Sequence, residues 1–154
     1  MKGQEALAET QAKGLPRLWM RLSILQGNTI QLTGLLIGMG LLSVAAQLAG
    51  PTGARIALML VGWFIIYDCC HALAHWAVGR AAGIHFRGYG LRGTDHPEIY
   101  PPGIRQIMSV MPFFTALTVK ASMQAASAKA RAAMFAAGET STTICALLAA
   151  GYAV

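Results

Sequence analysis

Asp68, His71 and His75 recur at i, i+3 and i+7 in the run DCCHALAHW. At about 100° per residue that spacing stacks a carboxylate and two imidazoles on one face of a helix. Two imidazoles four residues apart can ligate one metal ion, as in the zinc helices that carry H-x-x-x-H. The same groups can instead hydrogen-bond to one another and to neighbouring helices, and both chemistries are open at this point. Glu139 in AAGETSTT is a second carboxylate in apolar surroundings. Coming from a distant segment, it is a candidate further ligand and is expected to face the His71 and His75 side. Its alternative partners are Thr140, Thr142 and Thr143. An ionisable group inside a spanning helix costs roughly 2.5 to 3.5 kcal/mol at the bilayer centre, which marks all four as functional candidates.

The elements that must position them are membrane elements. Of 154 residues, 55% are apolar and 12% charged, about half the charged share of an ordinary soluble domain. With a mean hydropathy of +0.51, the composition excludes a soluble globule, a disordered chain and a disulfide-stapled module. The net charge of +6 fits orientation in a membrane and contact with anionic lipid. A nucleic-acid partner is not expected, because no basic run is interleaved with aromatics. Three cysteines, Cys69, Cys70 and Cys145, sit in apolar runs and read as packing thiols. Met1 to Gln26 has no signal-peptide pattern, so the first apolar helix is expected to act as its own insertion signal.

Along the chain, residues 1–28 read as a polar tail followed by an interfacial amphipathic helix over Leu15–Gln26, with Trp19 at headgroup depth. Residues 29–154 read as an all-α integral membrane domain with spans at 29–50, 56–79, 104–119 and 132–154. Segment 104–119 is short and contains Pro112, so a re-entrant half-helix is its alternative. Gly34 and Gly38 in GLLIG form a close-packing face for another helix. After the second span, GIHFRGYGL alternates and predicts a strand or hairpin. Its edge, around Ile84 and Phe86, is a candidate for accepting an extended peptide. Asp95, His96 and Glu98 in GTDHPEIYPPG read as a stiff solvated loop. On four spans, Lys2, Lys13, Arg17, Arg21, Arg80, Arg87, Arg92 and Arg105 fall on one side, with Arg55, Lys120, Lys129 and Arg131 on the other. That split places the N-terminus and the 80–105 loop in the cytoplasm.

The run HALAHWAVGRAAGIHFRGYGLRG, residues 71–93, resembles the catalytic helix and following hairpin of the site-2 protease family of intramembrane zinc metalloproteases. The resemblance implies that His71 and His75 correspond to the two histidine ligands of the HExxH motif. It puts Ala72 where the family has the glutamate that activates the zinc-bound water. A methyl group neither accepts nor relays a proton, so proteolysis is not expected. The LDG-type segment that supplies the family's third ligand is also missing, and Glu139 and Asp68 are the nearest substitutes. The expected function is therefore a non-proteolytic, site-2-protease-like accessory subunit that binds other transmembrane proteins or an extended segment. Two alternatives accompany it. One is a zinc protease silenced at position 72, in which Ala72→Glu would restore cleavage. The other is a haem or chlorophyll-type macrocycle held by His71 or His75.

Overall fold

The computed structural model describes residues 18–94 and 97–151. Strand β1 (Met20–Leu22) leads directly into helix α1 (Ile24–Gln47). Ser23 stops the strand and starts the helix. Its Oγ accepts from the Gln26 N–H at 3.2 Å while Gln26 Oε1 accepts from the Ser23 N–H at 3.0 Å, so the two residues satisfy orphan donors reciprocally. After the turn at Gly50 and Pro51, α2 (Thr52–Ala81) runs back antiparallel to α1. It ends where Gly83 takes a φ of +83°. The N–H of Ile84 then reaches the Gly79 carbonyl at 2.8 Å and that of Gly83 the Arg80 carbonyl at 3.1 Å, a Schellman cap that tucks Ile84 fully out of solvent.

Beyond this cap come β2 (Phe86–Arg92), a 3-10 turn (Pro97–Ile99), α3 (Ile104–Val110), β3 (Phe113–Thr118), α4 (Lys120–Ala125) and α5 (Ala128–Gly151). The strands form one antiparallel sheet in the order β1-β2-β3, with Leu22 opposite Tyr89 and Leu91 opposite Phe114. A bulge between Phe86 and Gly88 bends β2. Tyr89 anchors the sheet to α1: it is fully buried, its ring lies against Gly27, and its hydroxyl donates to Asn28 Oδ1 at 2.6 Å.

Among the described residues three helices, α1, α2 and α5, are long and apolar enough to cross a membrane. The expected span over 104–119 is not one of them. Pro112 has no N–H to donate and disfavours helix at Met111, so α3 stops at Val110. The aromatic and β-branched run that follows then pairs with β2 as a strand. The interfacial helix expected over Leu15–Gln26 is also corrected in its described part, where Met20–Leu22 is an edge strand and the helix begins at Ile24. Its first half lies outside the described residues.

Gly34 and Gly38 are spent within the chain, which corrects their assignment as a surface for another protein. A Cβ on Gly38 would sit 2.9 Å from the Gly62 carbonyl oxygen, and Gly34 lies against Cys69. These glycines bring the α1 and α2 backbones together, as small residues do between membrane helices. Helix α5 packs antiparallel on the other flank of α2: Ser141 Oγ donates to the Cys70 carbonyl at 3.4 Å, and Ala149 joins Leu42 and Ile66 in a buried cluster towards the opposite end from the sheet.

Candidate functional site

One stripe of α2, recurring every three or four residues, carries Trp63, Phe64, Tyr67, Asp68 and His71. It forms the floor of a cavity of about 730 Å³. Phe113, Phe114 and Thr115 of β3 wall one side, Tyr100 and Met108 cover it, and Glu139 of α5 closes the far side. Aromatic rings stack along the stripe, with Trp63 and Tyr67 at 5.6 Å and Tyr67 and His71 at 6.4 Å between centroids.

Asp68 does not point at an ion. Its Oδ1 accepts the Phe114 N–H at 3.2 Å, tying mid-helix α2 to the outer edge of the sheet. The strand alternation identifies which edge this is. Val119 donates to the His85 carbonyl, towards β2, so the N–H groups of residues 114, 116 and 118 point away from β2. β2 itself is the central strand, with a neighbour on each side. The edge expected at Ile84 and Phe86 is therefore not free: Ile84 is fully buried and Phe86 packs on Gly79. The outer edge beside the cavity belongs to β3, where Asp68 takes the Phe114 N–H.

The two imidazoles meet each other. His71 Nε2 lies 3.0 Å from His75 Nε2, and His75 Nδ1 lies 2.6 Å from the Met134 carbonyl oxygen. Room for both rings comes from Gly138, where a Cβ would fall 2.9 Å from His71 Cε1 and closer still to the His75 ring. Glu139, the next residue along, reaches the cavity shared by Asp68 and His71; His75 does not line it. Among the described residues no three His, Cys, Asp or Glu side chains converge as metal ligands. A structural or catalytic zinc needs at least three protein ligands. The donor set here is two imidazoles, with Asp68 engaged by Phe114, so the arrangement as it stands does not fit a zinc ion. The Nε2 atoms of both histidines are engaged with each other, so neither is free as an axial ligand to a macrocycle.

Ala72 is 0% exposed and lies off the cavity. A base at that position would be aimed into helix packing rather than at a bound substrate. Asp95 and His96 lie outside the described residues; Glu98 sits in the 3-10 turn, exposed, where its carbonyl accepts from Arg105 Nη2 at 3.4 Å. Sequence reasoning missed Tyr67, Tyr100 and Phe113 as cavity walls and Gly138 as the space for the imidazoles. The signal for Trp63 and Tyr67 was present, since both continue the His71 and His75 stripe at four-residue intervals. Compared with family models, with curated proteins and with solved structures, the chain matches none.

Proposed function

We propose that this chain is a multi-pass membrane protein of the site-2-protease type that holds an extended segment of a partner membrane protein along β3 and does not hydrolyse it. The observation that carries the reading is the outer edge of β3, beside a cavity of about 730 Å³ walled by Phe113, Phe114 and Thr115. Asp68 takes one N–H of that edge, at Phe114, and alternation turns the N–H and C=O of Ala116 to the same side. An added strand would satisfy the Ala116 groups, which have no partner among the described residues. The aromatic wall offers apolar side chains of that strand a place to bury. Three further features support holding without cutting: Ala72 in the base position, buried away from the cavity; imidazoles turned on each other; and Asp68 occupied by backbone.

With three spans the charge asymmetry sharpens. Arg80, Lys120, Lys129 and Arg131 lie at the sheet end, where α2 leaves and α5 begins, and Arg55 lies at the opposite end of α2. The positive-inside rule then puts the sheet end in the cytoplasm. The binding reading is tested by photo-crosslinking. A benzophenone amino acid replacing Phe113, in the full chain in liposomes, is expected to link to a transmembrane reporter peptide with a helix-breaking Asn-Pro at its midpoint. The same group replacing Leu36, which is 67% exposed on α1, serves as the lipid-facing control. Ala116→Pro, which removes an edge donor, is expected to lower the Phe113 yield at least ten-fold. Equal yields from both positions, insensitive to Ala116→Pro, would refute the reading.

A further inference from the structure

A second cavity, of about 610 Å³, opens at the sheet end where α2 leaves and α5 begins. Its walls are small residues such as Gly83, Ala121 and Ala125, with Ser122, Ser127 and His85 supplying polar groups. Hydrogen bonds fix those walls. The His85 N–H donates to Ser122 Oγ at 2.8 Å, the Val119 N–H donates to the His85 carbonyl at 2.8 Å, and Ser127 Oγ accepts the Ala130 N–H at 3.1 Å.

Two arginines bond residues that line this groove, and two lysines adjoin its lining residues along the chain. Arg80 Nη1 donates to His85 Nδ1 at 2.9 Å and Arg131 Nη1 to the Ala126 carbonyl at 2.6 Å, both on groove residues. Lys120 lies between the lining residues Val119 and Ala121, and Lys129 immediately precedes Ala130. No carboxylate lines the groove, and none of these four bases makes an ion pair with an acid among the described residues. With α2 spanning a bilayer, the groove at its end falls at the depth of a headgroup. Arg55 and Arg80 bracket α2, separated by roughly 38 Å at 1.5 Å per residue, against a hydrocarbon core of about 30 Å. The first turn of α5, capped by Ser127 at the Ala130 N–H, adds partial positive charge beside the bases.

We infer that this groove binds the headgroup of an anionic phospholipid, with Arg80, Lys120, Lys129 and Arg131 around the phosphate. The inference rests on the reading that α2 and α5 span the membrane, but not on the β3 cleft. The bases meet an anionic leaflet already by the charge asymmetry; the groove adds a concave seat lined by side chains too small to block a phosphodiester.

Calorimetric titration of the full chain in neutral detergent tests it, using dioctanoyl phosphatidylglycerol, dioctanoyl phosphatidylcholine and inorganic phosphate. Phosphatidylglycerol is expected to bind at least ten-fold more tightly than either of the others. The pair Lys120→Gln and Lys129→Gln, neither of which removes a structural hydrogen bond, is expected to weaken it at least five-fold. Ala125→Leu, which fills the groove and leaves every charge in place, is expected to do the same. Arg55→Gln, at the opposite end, and Ala116→Pro, in the cleft, are expected to change nothing. Binding that survives Ala125→Leu, or that falls equally with Arg55→Gln, would overturn the groove as the seat; phosphate binding as well as the lipid would overturn the lipid as occupant. Retained lipid binding with failed crosslinking at Phe113 would sink the cleft reading alone.

Discussion

His75 Nδ1 lies 2.6 Å from the Met134 carbonyl oxygen, and this one bond orders the histidine pair. A carbonyl only accepts, so the Nδ1 of His75 carries the proton and its Nε2 is left with a lone pair. The Nε2–H of His71, 3.0 Å away, donates to that lone pair. His71 Nδ1 is then the unprotonated nitrogen, buried and without a partner. An imidazole pair so arranged ties α2 to the Met134 carbonyl of α5.

Gly138 is where that arrangement is most exposed to change. In Gly138→Ala the new methyl meets both imidazoles, and the His75 ring cannot swing aside without losing the Met134 bond. The variant is expected to be less stable by about 1 to 3 kcal/mol, even though alanine is the better helix former. Thermal unfolding in detergent checks it, and unchanged stability would place the imidazoles elsewhere.

The α1 to α2 contact carries its own internal control. Gly38→Ala drives a methyl against the Gly62 carbonyl, whereas the space around Gly40 is open for 4 Å. Gly38→Ala is expected to destabilise by roughly 1 to 3 kcal/mol, and Gly40→Ala to be neutral or stabilising by up to about 1 kcal/mol. The same unfolding assay, run on both, reads the difference.

How far these contacts can be read from the sequence depends on the residue pattern. The three long helices are legible because long, strongly apolar stretches that carry few charges admit few other structures. β2 is legible because GIHFRGYGL alternates. The segment from Ile104 to Val119 misleads, since a short apolar run has the same hydropathy as a strand or a helix; Pro112 and the Phe113–Thr118 composition were the deciding signals. LPRLWMRL misleads in the opposite direction, because Arg17 and Arg21 mimic an amphipathic helix while Met20–Leu22 pairs with β2. Within the site, Asp68, His71 and Glu139 meet at one cavity. That Phe114, rather than an ion or a histidine, takes the Asp68 carboxylate depends on the register of β3, which no local pattern encodes.

Ala72→Glu separates a site lacking only its base from one rearranged around the loss. The methyl of Ala72 has no exposed surface and does not reach the cavity. A carboxylate there is buried without a partner, at a cost of several kcal/mol. The variant is expected to unfold at lower temperature and to leave a transmembrane reporter intact with added zinc. Cleavage by Ala72→Glu would mean that position 72 faces substrate after all.

Tyr89 gives the fold a pH limit outside the spans. Burial pushes its phenol well above the ordinary tyrosine value, with the Gln31 amide pulling weakly the other way. Because the folded value is raised, the stability this residue contributes is present below about pH 10, where the unfolded phenol stays neutral, and is lost as pH rises through the folded value. Stability is expected to fall above about pH 10, and Tyr89→Phe is expected to lessen that fall while costing about 1 kcal/mol at pH 7 from the lost Asn28 bond. Equal alkaline sensitivity in both proteins would remove Tyr89 as the cause.

The fate of a bound segment tests holding without cutting most directly. The full chain in liposomes, crosslinked through position 113 to the transmembrane reporter in the presence of zinc, is weighed intact by mass spectrometry. The expected result is an adduct containing the reporter at its full, uncleaved mass, from the unaltered chain and from His71→Ala alike. Reporter fragments that form in the unaltered chain and disappear in His71→Ala would contradict it, because hydrolysis would then depend on the imidazole pair.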